Sequence, residues 1–442
     1  MKHTATAGLL LAAALLAGCA GLAPEKRHSP AEIASYSPAH FSAPIASREG
    51  ARLARDKALA AIRQAQAPGA DDQLVQQALW AVAFHDTEHA AGRTLLQRAL
   101  GPGAPPLAQR SVEQQRAVLS AAHMLDATGT APLIRPVIEQ LATPREFAIA
   151  AYTLLRADTG TAQRDALRNV LARRSDRDDP RLRALAQALD APVEAPNSPP
   201  LVDLLAAPFA PGLPVVYSLQ RRDRRHIGLA LVRGADGRFV RQADGSVFHI
   251  PHLALALTGL PGTITNGNTP QGLFTVVGAG TATNAWIGPT PYLESKVPVE
   301  ASLAEFAHAP AEGDWTEARY EAWLPPSWRK HAPFKEAWLA GLAGRSEMLL
   351  HGTTIDAQPY RDRPWYPGTP SAGCLVALET WSPEDGRGLR SDQLSLVQAF
   401  TRGGLDRGYL VVVDIDDRPG PVLWADVAAD IARAESRMAA AR

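Results

Sequence analysis

The chain has 442 residues, with 45 Lys and Arg balanced by 45 Asp and Glu, 46% hydrophobic residues, 36 Pro, 34 Gly and 2 Cys. That length has room for two or three domains with substantial cores, and the zero net charge offers no basic face for a phosphate backbone, which argues against a nucleic-acid partner. Two cysteines, Cys19 and Cys374, exclude a disulfide scaffold and a Cys-rich zinc or iron–sulfur site, so each is read in its own surroundings.

Residues 1–18 carry one early cation, Lys2, then an Ala/Leu/Gly run from about Ala7 that is shorter than the ~20 residues needed to cross a bilayer. This predicts a signal peptide. Its ending, Leu16-Ala17-Gly18-Cys19, resembles a bacterial lipobox, which implies that Cys19 becomes the acylated first residue of the mature chain. Ala20, where Asp would retain such a protein at the inner membrane, implies sorting to the inner leaflet of the outer membrane. The expectation is a periplasmic protein held to a membrane by an N-terminal lipid anchor. Cys374 is then the one thiol left in the mature chain, in an oxidising compartment.

Residues 19–46 are rich in Pro, Ser and Ala and predict a flexible tether. Over 47–190 Ala, Leu, Arg and Gln dominate and apolar residues recur at three- and four-residue spacing, predicting helices separated at Pro68-Gly69, Gly101-Pro102-Gly103, Thr128-Gly129 and Thr159-Gly160. Thr-Gly-Thr-Ala at 128–131 and again at 159–162 is compatible with a helical repeat, or with an irregular bundle; either offers a docking surface for a protein partner. A Pro-rich linker is expected over 191–212. From 213 to 418 short β-branched runs alternate with Gly/Pro/Asn turns: 215–219, 227–232, 248–250, 273–277, 348–350 and 409–413. Residues 419–442 predict a closing amphipathic helix. The expected fold is multidomain, an N-terminal all-α, helical-repeat-like domain followed by a mainly-β (α+β) domain.

The chemistry is concentrated between His351 and Cys374. Cys374 ends the small-residue turn Thr369-Pro370-Ser371-Ala372-Gly373 and leads into an apolar segment, a setting in which Gly lets backbone and substrate approach closely. A thiol with an ordinary pKa of ~8.5 needs a base to become a nucleophile, and histidine is the natural supplier. All twelve histidines precede Cys374, an order opposite to that of papain-like hydrolases. The nearest is His351, 23 positions earlier (374 − 351), at the end of Met348-Leu349-Leu350 and before Gly352-Thr353. His85 and His89 stand four apart in His-Asp-Thr-Glu-His, but no third ligand is evident and no metal is expected. His249 and His252 read as hydrogen-bonded structural histidines, and Asp223 among four arginines as a charged turn.

His-Gly-Thr at 351–353, Ser-x-Gly-Cys at 371–374 and an upstream Thr-Pro-x-Gly-x-Phe at 269–274 together resemble the L,D-transpeptidase catalytic domain of the YkuD type, over about 213–418. The resemblance implies a thioester-forming enzyme acting on peptidoglycan stem peptides without a cofactor. It implies Cys374 as nucleophile, His351 as general base, Ser371 as support for the histidine, the N–H groups of Gly373 and Cys374 as oxyanion hole, and the 269–274 segment as a site wall. Gly352 and Thr353 would face substrate. Ala372 and Val376 depart from the pattern, which has His and Arg or Asn there. The loop with Tyr360, Arg361, Arg363, Trp365 and Tyr366 suggests a substitute, with Arg361 or Arg363 binding a substrate carboxylate and Trp365 and Tyr366 beside it. A hydrolase using the same pair, or a non-catalytic wall-binding scaffold, are the alternatives.

Overall fold

The structure is a computed structural model that describes residues 26–191 and 198–440. The signal peptide and Cys19 lie outside the described residues. Helices occupy most of 48–190, beginning at Arg48–Ala65, Asp72–Phe84, His89–Leu100 and Val112–Leu125. Their starts follow from sequence: Ser47, Asp71 and Ser111 each accept a backbone N–H from the first turn, the usual remedy for unpaired donors at a helix start. Gly129, expected at a break, instead lies inside the helix Ala127–Ile134, its N–H capped by Asp126.

The strands in chain order are β1 Lys26–Arg27, β2 Val215–Arg221, β3 Gly228–Arg233, β4 His249–Leu253, β5 Gly272–Thr281, β6 Tyr292–Lys296, β7 Met348–His351, β8 Leu375–Ala377, β9 Glu379–Trp381, β10 Gly388–Ser391 and β11 Gly408–Asp416. Eight of them close in the order β5-β11-β2-β3-β4-β8-β7-β6, with β6 returning to β5. This is a mixed barrel: β11 runs parallel to β2 and β7 parallel to β8, the other pairs being antiparallel. Each of the eight contributes to one apolar cluster, through residues such as Phe274, Leu350, Leu375 and Leu410, and the buried helix Asp392–Thr401 completes it with Leu396, Val397 and Phe400. The alternate residues, including Tyr217, Leu273 and Val411, face outward and pack under the helices Leu201–Ala206 and Trp424–Ala440.

The expected architecture, an N-terminal all-α helical-repeat-like domain followed by a separate mainly-β L,D-transpeptidase-like domain, is therefore corrected to a closed eight-stranded mixed β-barrel surrounded by helices. The two parts share a core: Leu260 and Ile264, from the β4–β5 connection, lie fully buried in the same apolar cluster as Leu79, Leu95 and Phe147 of the helices. Residues 26–46 differ from the expected tether as well. β1 pairs with β5, Ile33 is fully buried in the barrel cluster, and Gln398 donates to the carbonyls of Ile33 and Tyr36 at 3.0 and 2.9 Å. Within the expected linker, Leu201–Ala206 is a helix with Val202, Leu204 and Leu205 buried. Around the charged turn at Asp223, Arg221 and Arg224 are buried and paired with Asp416, Asp426 and Asp414. Among the described residues no helix is long and apolar enough to cross a membrane.

Candidate active site

Strands β7 and β8 lie side by side in parallel, with Leu350 opposite Leu375 and His351 opposite Val376. This register sets Cys374, the residue that precedes β8, level with Leu349, and puts His351 two positions further along the same face, within side-chain hydrogen-bond reach of Cys374. Alternation along β7 sends Met348 and Leu350 into the barrel and leaves Leu349 on the outer face, where it packs with Cys374, Ile287 and Tyr292. The Leu349 N–H donates to Cys374 Sγ at 3.4 Å, and the carbonyl of Glu347, a residue held at φ 59°, lies 3.9 Å from the sulfur. A backbone donor aimed at sulfur favours the thiolate.

The His351 ring is buried and its Nδ1–H donates to the Gly352 carbonyl at 2.5 Å, which fixes the tautomer and leaves Nε2 to accept a proton. Burial alone would lower its proton affinity. The hydrogen bond to Cys374 and the charge on that sulfur, with the Gly352 carbonyl and the Glu379 carboxylate, outweigh burial and hold His351 above the ordinary histidine value. An imidazole that is easily protonated beside a thiol is the arrangement that generates a nucleophilic thiolate.

Two residues carry weight here that no motif announced. Glu379 Oε1 accepts from Thr290 Oγ1 at 2.7 Å and from Ser391 Oγ at 2.6 Å. Burial pushes this carboxyl up to about 7, against the pull of those hydroxyls, the Thr353 N–H and His351. It sits so close to Gly352 that a Cβ there would lie 2.0 Å from Glu379 Oε2. Gly352 is thus the contact through which a buried carboxylate reaches the histidine's backbone. The second residue is Arg345, only 4% exposed, whose guanidinium donates to the carbonyls of Gly262, Ile264, Gly267, Asn268 and Gly373. It ties the 260–268 loop to the turn that carries Cys374. Gly373 has φ 121°, and a Cβ on it would lie 2.3 Å from Arg345 Nη2. A lone acidic residue after the apolar run 374–378 was the available signal for Glu379; nothing local distinguishes Arg345.

The remaining expected site residues divide. Ser371 does not touch the histidine: its hydroxyl donates to the Cys374 carbonyl at 2.7 Å and accepts the Gly373 N–H at 2.9 Å, so it braces the turn. The same bond turns the Gly373 N–H away from an oxyanion role. Thr269 Oγ1 donates to the Gly373 carbonyl at 2.9 Å and so supports the turn, whereas Phe274 belongs to the barrel interior. Thr353 does line the cleft beside His351, with its hydroxyl 3.0 Å from that of Thr369. Arg361 bonds Gln358, and Arg363 makes a two-point pair with Asp86 at 2.7 and 2.5 Å. Trp365 lies under the Arg363 guanidinium, Tyr366 is 37% exposed, and none of the four lines the cleft. This loop instead docks on the helices, Tyr360 donating to the Phe84 carbonyl. His252 fits its structural reading, bonded to Ser218 Oγ at 2.9 Å, and His249 stacks on Trp424.

The cleft is bounded on its helical side by Trp80 and Phe84 and on the barrel side by His351, Ser371, Ala372 and Val376. Phe84 meets Trp286 edge-on, with ring centroids 4.9 Å apart. Compared with protein-family models, with curated proteins and with solved structures, the chain matches none.

Proposed function

We propose that this chain is a cysteine acyltransferase of the L,D-transpeptidase kind, acting on peptidoglycan stem peptides. The observation that carries the reading is the side-chain pairing of a buried, proton-attracting His351 with Cys374 across two neighbouring parallel strands. His351 Nε2 takes the proton of the Cys374 thiol, and the thiolate attacks the carbonyl carbon at the L-centre of a stem tetrapeptide. The tetrahedral adduct collapses as the C–N bond to the terminal D-amino acid breaks, and that nitrogen takes the proton from the imidazolium. A thioester remains on Cys374. An acceptor amine, from a diaminopimelate side chain or an attached protein, then attacks the thioester carbonyl, gives a proton to His351 and restores the thiolate. No cofactor enters this sequence. The lipobox-like segment supports a periplasmic location with Cys19 as lipid anchor.

Incubation of the protein with tetrapeptide-bearing muropeptides, followed by mass analysis of products and of the protein, tests the reading. A thioester on Cys374 and a cross-linked product support transfer, a shortened stem supports hydrolysis, and an unchanged substrate with an unmodified Cys374 overturns the enzymatic reading.

A further inference from the structure

The cleft at His351 is walled by Trp80, Phe84, Trp286, Ile287, Ile355 and Val376. Its other lining groups are neutral, and among the described residues that line it His351 is the only ionisable one. The nearby cations are committed elsewhere: Arg363 to Asp86, Arg361 to Gln358, and Arg345 to the carbonyls of the turn and the 260–268 loop. A carboxylate entering this cleft would lose its water and meet aromatic rings and branched aliphatics in place of a guanidinium, an unfavourable exchange. An uncharged chain meets surfaces of its own kind.

Resting on the acyl-transfer reading, we infer that the group next to the scissile carbonyl is taken up uncharged, and that Trp80 and Phe84 of the helix Asp72–Phe84 are specificity-determining walls of this donor pocket. The helices thereby contribute directly to substrate choice. Val376 is the position at which charge selection is set on the barrel side, since it faces the cleft beside His351 and holds no polar atom.

The test uses the full chain and two synthetic tetrapeptides with the same D-alanine leaving group. They differ only at the acyl-centre side chain, a terminal carboxylate in one and the corresponding carboxamide in the other. The rate of thioester formation at Cys374 is read by intact-protein mass. The carboxamide is expected to acylate at least about tenfold faster. Phe84→Leu is expected to erode that preference to about threefold, and Val376→Arg to reverse it by supplying a guanidinium partner. Thermal unfolding of each variant confirms that it folds, and the wild-type comparison stands without them. Equal rates, or a faster carboxylate donor, would overturn this inference while leaving acyl transfer intact. No thioester with either donor overturns the acyl-transfer reading itself.

Discussion

Replacing Gly352 by Ala puts the contact between Glu379 and the histidine segment under direct load. The added Cβ would lie 2.0 Å from Glu379 Oε2, 2.1 Å from its Cδ and 2.5 Å from Oε1, so the carboxyl group must move as a whole. Moving it breaks the bonds from Thr290 and Ser391. Two such bonds at roughly 1 kcal/mol each, with an overpacking penalty of ~1–3 kcal/mol, give a destabilisation of about 3–5 kcal/mol. With Glu379→Ala already in place the same methyl finds room, and its effect should fall below ~1 kcal/mol. Urea unfolding of the parent, both single variants and the double variant supplies the cycle, and alkylation of Cys374 by a small electrophile follows the consequence for the pair. The single Gly352→Ala variant should alkylate more slowly, because His351 Nδ1 bonds the carbonyl of the very residue displaced. If the two substitutions add within ~0.5 kcal/mol, the contact is not what holds this segment and the reasoning fails.

Arg345→Met should destabilise by more than ~4 kcal/mol, because the buried carbonyls it serves lose their donor at ~1–3 kcal/mol apiece; hydrogen exchange on Arg345→Lys should show lost protection at 260–268 and 371–374, and normal protection there would contradict the bracing role. Glu300, which accepts the N–H groups of Val297 and Glu347, is pushed by burial from 4.5 up to about 7. The unfolded chain gives up this proton first as pH rises, so the stability advantage of the parent over Glu300→Gln should shrink by about 2–3 kcal/mol between pH 4.5 and 7 and level off above, whereas a pH-independent difference would refute the assignment. Replacing Arg361 and Arg363 together by Ala should leave the KM of the acyl donor unchanged and lower stability by only about 0.5–1 kcal/mol, since the half-exposed pair with Asp86 is what is lost; a large rise in KM would return a carboxylate-binding role to that loop.

The pairing of Cys374 with His351 was legible because both are short-range signals: a cysteine after Ser-x-Gly and a histidine closing an apolar run fix position within a few residues. The strands were legible as β-branched runs for the same reason. Barrel closure was not, because β5 pairs with β11 and β6 across stretches of chain that carry no shared periodicity. Residues 26–46 look like a tether by composition, yet Ser29 and Glu32 form a reciprocal capping box that starts the helix Pro30–Ser35 and delivers Ile33 to the barrel. Composition averages over such a signal. Ser371 has the residue type expected of a histidine partner, but a hydroxyl two residues before a glycine finds that glycine's N–H before it finds a ring.

The place of β11 bears on how the protein comes into being. β11 is inserted between β5 and β2, and its residues 408–416 form the last of the eight barrel strands in chain order. Until they are made, β2 and β5 each present an open edge of backbone donors and acceptors, a template for pairing with other chains. A ribosome-bound or clipped chain ending before Gly408 would carry His351 and Cys374 but no closed barrel, so barrel closure must wait until β11 has been made. Aggregation of such a chain should be governed by how quickly β11 arrives.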